Sequence, residues 1–294
     1  MGLGGTYSAW ILAALGSVVV GILIVGVIRH NLRVWRVRRA YQTLPVWVRD
    51  RVLDLIQEAA SGRPSMALLR PDEELQRDAR DALLQSHVGG SPYAEAGDAQ
   101  SIDDSAIFLL QVRLNEPELG EAWRGRLLTA YLVRDSELVV RSYGAPHINR
   151  FVADAAPASP RPCIPLTLLR FPVEIEDEEP PFPSPPARIC ALMPAIPELL
   201  GEFTDDPAGL LSQIICPGFH GSDLDAPEIA YVGGEPLLIQ NPHDPTCDVC
   251  GDPMRFLFQV GEVVLGLQLA DAGVCYVYGC DRHPSHCKGF IDSH

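Results

Sequence analysis

The chain has 294 residues and only one lysine, Lys288. Acidic residues are absent from residues 1–43, where five arginines stand (Arg29, Arg33, Arg36, Arg38, Arg39). All 38 Asp and Glu residues therefore fall in the remainder, and the formal net charge is −15. A body this acidic is unsuited to nucleic acid, because sequence-independent binding there requires neutralised phosphates. It suits solubility, or a basic protein partner. No Walker A loop, Rossmann glycine fingerprint, His-Glu-x-x-His or Gly-x-Ser-x-Gly occurs, which excludes the usual signatures of nucleotide, metalloprotease and serine-hydrolase chemistry. The glycines of "VGGEP" (232–236) lead into an expected strand and do not form a phosphate loop.

An uncharged apolar stretch runs from Tyr7 to Ile28. As a helix it would span roughly 33 Å, enough to cross a bilayer core. A cleaved signal peptide needs a basic stretch before the apolar core and a small-x-small site after it. Here the basic stretch, "RHNLRVWRVRR", comes after, and no such cleavage site is present. The expectation is a single-pass anchor in a bacterial inner membrane, crossing the lipid bilayer through residues 7–28. The positive-inside rule then puts the N-terminus outside and residues 29–294 in the cytoplasm. The eight cysteines all follow this stretch, in a compartment where thiols stay reduced and disulfides are not expected.

Three regions follow: an anchor with its basic flank (1–43), juxtamembrane helices and a linker (44–104), and a main domain (105–294). Helical spacing of Val48, Val52, Leu55, Ile56 and Ala59 predicts an amphipathic helix beginning near Pro45. Leu75, Ala79, Ala82 and Leu83 predict a second, ended by Gly89-Gly90. From residue 105 the pattern turns to strands: "AIFLLQVRL", "RLLTAYLVRD", "SELVVRSY", "EPLLIQ", "MRFLFQV", "VVLGLQL" and "GVCYVYGC". Two short helices are expected at "PAIPELLGEF" and "PAGLLSQII". The Pro-rich acidic stretch 157–186 reads as an extended surface connection, since proline removes ladder donors.

"IFLLQV" (107–112) precedes a Gly-led apolar strand, and so does "RFLFQV" (255–260). Equal order and similar spacing indicate a duplication with Gln111 and Gln259 in equivalent places. Each buried amide must then find partners on nearby backbone. These pieces, with "FPVEIEDEEPPFP", "YVGGEPLLIQ" (231–240) and "DAGVCYVYGC", resemble the YwqG-like (DUF1963) family over about residues 105–283. Gly233, Gly234, Pro236, Gln240, Gln259, Asp271 and Gly273 fall at the family's motif positions. The resemblance implies an α+β class, with a β-rich domain of two related halves. The transmembrane helix and the two amphipathic helices would precede it. It implies no established activity.

Chemistry concentrates at the C-terminal end. Cys247 and Cys250 form a Cys-x-x-Cys pair, and "GCDRHPSHC" supplies Cys280, His283, His286 and Cys287. Two tight pairs on separate segments match the four thiolate or imidazole ligands of a tetrahedral Zn²⁺. The expected set is Cys247, Cys250, Cys280 and His283, with Cys287 and His286 as alternates. In a plain three-strand meander the pairs would finish at opposite ends, so closure requires residues 263–269 to leave the ladder. Some YwqG-like proteins resemble this chain in carrying both pairs. Four protein ligands make the zinc structural, with no open position for water. Cys275 is expected in the core. His243 is a candidate to support the metal ligands from behind. Cys216 and His220 share one loop without a positioned third group.

The expected function is a non-enzymatic binding or scaffold module, with an acidic body suited to a basic protein as in immunity factors. The alternative is a hydrolase-type enzyme with its site in the groove between the two halves.

Overall fold

The computed structural model describes residues 25–293 apart from 61–64, 72–82, 99–101, 104, 134–136, 154, 173–188, 192, 216–229, 241 and 270–271. Helix α1 covers residues 25–43. It is followed by α2 (Val46–Ala60), α3 (Ala195–Leu200), α4 (Pro207–Ile215) and α5 (Glu262–Leu265). The strands are β1 (Ser65–Pro71), β2 (His87–Val88), β3 (Ile107–Leu114), β4 (Arg126–Val133) and β5 (Glu137–Tyr143). Then come β6 (Ile164–Pro172), β7 (Ala230–Val232), β8 (Arg255–Gly261), β9 (Val274–Gly279) and β10 (Cys287–Asp292).

All ten strands join one antiparallel sheet, in the order β10-β9-β8-β7-β1-β6-β2-β3-β4-β5. Its outer strands curl together until β10 lies along β5, so the sheet is a nearly closed, barrel-like wall. Gly289 permits that approach, because a Cβ there would press into Leu138 of β5 at 2.7 Å. Strands β3, β4, β8 and β9 are apolar on both faces and almost wholly buried. One face lines the barrel interior and the other is covered. On the outside, α2 packs against β6 and α3, and α3 against α4. Val48, Val52, Ile56 and Ala60 of α2 are the buried row, each Val or Ile worth roughly 1.5–3 kcal/mol when fully buried.

The pairing repeats in two halves. His87 faces Gln111 across β2–β3, and Tyr231 faces Gln259 across β7–β8. Both β3 and β8 carry a bulge at the same place, between Phe108 and Leu110 and between Phe256 and Phe258. Each edge of the repeat begins with Val-Gly-Gly-x-Pro, at 88–92 and at 232–236. Gly89, Gly90, Gly233 and Gly234 all have φ between 64° and 73°, where a side chain would be strained. Their amides match as well: Gly89 N–H donates to Leu109 O at 3.0 Å, and Gly233 N–H to Leu257 O at 2.8 Å. The glutamine amides then close the turn. Gln111 Oε1 accepts from Tyr93 N–H, and Gln259 Oε1 from Leu237 N–H, each at 2.8 Å.

Several expectations are corrected. Among the described residues no helix is long and apolar enough to cross a membrane, which overturns the single-pass anchor and the inner-membrane location. Most of the expected span 7–28 lies outside the described residues. Two arginines of the basic flank meet acids of the body: Arg33 forks onto Asp206, and Arg36 sits 3.7 Å from Asp205. Val37 of α1 meanwhile joins the core. In place of the expected α+β class with a transmembrane helix, the chain forms a β-rich barrel-like sheet. The second amphipathic helix falls largely outside the described residues. The Pro-rich stretch contains β6, a central strand bonded to both β1 and β2. Its prolines stand at the strand's ends, Pro165 and Pro172, where a missing donor does least harm. "EPLLIQ" is not a strand, because the two glycines turn the chain out of the sheet.

Candidate metal centre

Antiparallel pairing of β8 with β9 sets Arg255 opposite Gly279. The start of one strand therefore lies beside the end of the other, and the turns attached there are neighbours. Residues 263–269 do leave the ladder: α5 and the Gly266 turn replace the expected strand, with Gly266 left-handed at φ 57°.

The first turn is closed by Gly251 N–H donating to Cys247 O at 2.8 Å, with Gly251 at φ 73°. Cys247 N–H donates to Asp252 O, and a bridge joins Thr246 to Pro253. The second turn is Cys280–His283. There His283 N–H approaches both Cys280 O (3.2 Å) and Cys280 Sγ (3.3 Å). His286 N–H and O hold that turn at His283 O and Cys280 N.

These turns bring Cys247, Cys250, Cys280 and His283 together, with one ligand atom of each within 4.8 Å of all the others. Cys250 Sγ is 3.6 Å from Cys280 Sγ, and His283 Nδ1 is 3.8 Å from Cys247 Sγ and 3.7 Å from Cys280 Sγ. A tetrahedron with metal–sulfur bonds of about 2.3 Å has edges of about 3.8 Å, which these three distances match. Cys247 and Cys280 are buried, and Cys250 and His283 half-buried. Burial raises the Cys247 thiol, but the N–H groups of Cys250 and Val249 and the neighbouring thiols outweigh it, bringing it down to about 6. A thiolate so held is the form that binds metal. The residues thus make a Cys₃His group able to hold a metal ion.

The alternates stand apart. Cys287 starts β10 and lies by Arg126 and Ser142; burial pushes its thiol up to about 12. His286 sits edge-on to His283, ring centres 6.0 Å apart. His243 does not support the ligands. Its Nε2 lies 2.9 Å from both carboxylate oxygens of Asp292, and its ring stacks on Phe290 at 4.4 Å. Cys275 is fully buried in β9, as expected, and burial pushes it up to about 12. Cys216, His220 and Asp271 lie outside the described residues.

Around the centre a ring of ion pairs joins the two turns. Arg255 forks onto Asp281, Arg282 pairs with Asp252 at 3.0 Å, and Lys288 with Asp248 at 2.7 Å. Trp123, fully buried before β4, adds a bond to Asp281 from the other half. Gly279 makes room for it, since a Cβ there would collide with the indole. Sequence reasoning missed Trp123 and Asp281. The available signal was an Asp immediately after Cys280 with an Arg entering β8. It also missed the first Val-Gly-Gly-x-Pro, which is legible once the two copies are aligned. No protein-family model matches the chain, and no curated protein matches it.

Proposed function

We propose that this protein is a non-catalytic binding module whose Cys₃His centre holds one zinc ion structurally. The observation that carries the reading is that four side-chain ligands lie at tetrahedral spacing with their surroundings closed by backbone turns. Zinc suits three thiolates and an imidazole, and four protein ligands leave it no position for water or substrate. When bound, the ion pins the start of β8 to the end of β9 and contributes folding energy directly. The excess of 38 acidic over 23 basic residues supports a basic protein as partner, of the kind immunity factors bind. Membership of the YwqG-like family is part of the same proposal and rests on the motifs at 107–112, 231–240 and 255–260.

X-ray absorption of the metal-loaded full chain tests the reading. A shell of three sulfurs and one nitrogen is the expected result. Three protein ligands plus a water, or Cys247-dependent turnover of ester, phosphate or peptide substrates, would replace the binder with an enzyme.

A further inference from the structure

Away from the metal turns, a cavity of about 610 Å³ opens where β3 and β5 end and β4 begins. Its wall includes Arg113, His147, Asn149 and Arg150, and not one carboxylate. That is unusual in this chain, where acidic residues outnumber basic ones. Six arginines elsewhere meet acids: Arg33 with Asp206, Arg51 with Glu58, Arg124 with Glu121, Arg170 with Glu116, Arg255 with Asp281, Arg282 with Asp252.

Arg113 is half-buried in β3, and its backbone N–H donates to Ser86 Oγ at 2.8 Å. Its guanidinium has no carboxylate or carbonyl partner among the described residues, and loss of water around it lowers its pKa. A guanidinium keeps its charge even so, leaving up to five donors unanswered on a partly desolvated cation. Arg126 does not line the cavity but stands beside Gly144, which does. It donates to Ala122 O at 2.8 Å and to Ser142 Oγ at 3.2 Å, both neutral acceptors. Gly125 and Gly144 lie beside the two guanidinium groups. A Cβ at Gly125 would come within 3.9 Å of Arg113 Nη2, and one at Gly144 within 3.3 Å of both terminal nitrogens of Arg126. On the opposite side, the short turn Ile148–Arg150 is capped by His147, whose Nδ1 accepts from Asn149 N–H at 3.1 Å. That bond fixes the tautomer, so the His147 proton resides on Nε2 as a further donor.

We propose that this cavity binds a phosphoryl group, as free phosphate or as the phosphate of a small metabolite, with Arg113 and Arg150 as its charged contacts. A dianion with three terminal oxygens matches several forked donors better than a single carboxylate does. The site goes beyond the zinc reading and shares no ligand with it.

Titration calorimetry of the full chain, with inorganic phosphate, glycerol 3-phosphate and succinate as separate probes, tests this. Saturable binding of either phosphoryl probe, with succinate weaker by about tenfold or more, is expected. Tighter binding of glycerol 3-phosphate assigns the site to a metabolite; equal binding assigns it to free phosphate. Arg113→Gln and Arg150→Gln should each weaken binding by about tenfold or more while the melting temperature holds. Arg150 is exposed, so its variant folds regardless. No saturable binding at millimolar phosphate, unchanged binding in Arg150→Gln, or equal affinity for succinate overturns the proposal.

Discussion

The indole N–H of Trp123 donates to Asp281 Oδ1 at 2.7 Å, and this bond ties the first half of the sheet to the turn carrying Cys280 and His283. Trp123→Phe removes the donor together with the part of the buried indole that packs on Gly279. The loss in urea unfolding should be at least the roughly 1.5–3 kcal/mol of a hydrogen bond to a charged group, because buried packing is lost with it. Faster metal release to a chelator should accompany it, since the second turn loses an anchor.

The ligand set separates cleanly by mutation. About one zinc per chain is expected by elemental analysis, given one tetrahedral set. Cys247→Ser or Cys280→Ser should abolish retention and lower the melting temperature. Cys287→Ser and His286→Ala should leave metal content unchanged, because neither side chain belongs to the four-atom group.

Asp206 gives a pH prediction. Burial would raise its carboxyl, but the fork from Arg33 and the Gly209 N–H outweigh burial and hold it below its ordinary 3.8. A depressed carboxyl stabilises the folded state fully above the unfolded value, and that contribution is lost as pH falls through the lower folded one. Attachment of α1 should therefore be constant from neutrality down to about pH 4 and loosen below it. Asp206→Asn should remove the dependence at a cost below about 1 kcal/mol, since Arg33 is half-exposed and screened. Proteolytic cleavage after the arginines of α1, followed against pH, reads the effect.

The two buried glutamines occupy equivalent places but should differ in cost. Gln111→Leu strands the amide N–H of Tyr93, whereas in Gln259→Leu the N–H of Leu237 keeps Tyr231 Oη at 2.7 Å. An orphaned buried donor costs about 1–3 kcal/mol. Gln111 also donates to Leu83 O and Gln85 O, so its variant should lie at the upper end in denaturant unfolding.

The long apolar strands and the paired cysteines were legible because both signals are local. A continuous apolar run such as "FLLQV" suits a strand covered on both faces, and two close ligand pairs indicate a metal whatever the fold. What misled was context. Pro165 and Pro172 made the 164–172 segment look unfit for the sheet, although the six residues between them are free to pair. The apolar character of Val263–Leu269 suggested a strand, yet Glu262 at the head of α5 accepts from Leu269 and Gly273 N–H and folds it into a closed turn. The uncharged stretch at residues 7–28 suggested a span, whereas no helix among the described residues is long and apolar enough for one, and Arg33 and Arg36 just after it meet acids between α3 and α4. Nothing local in "HVGG" announces a strand, because β2 is two residues long and exists only through its partners β3 and β6.

The exchange at the centre of the sheet governs how the chain can assemble. Leu68 of β1 faces Leu169 of β6 on one side and Tyr231 of β7 on the other. During synthesis β1 leaves the ribosome first, but neither neighbour exists until roughly a hundred more residues have followed. At about 5–20 residues per second that is a wait of several seconds with both edges bare. Hairpins such as β3–β4–β5 can form meanwhile, so the middle of the sheet waits for strands made long after its first one. Contacts this distant in sequence make folding slow. A chaperone binding residues 65–71 would therefore meet its client early and release it only when β6 and β7 arrive.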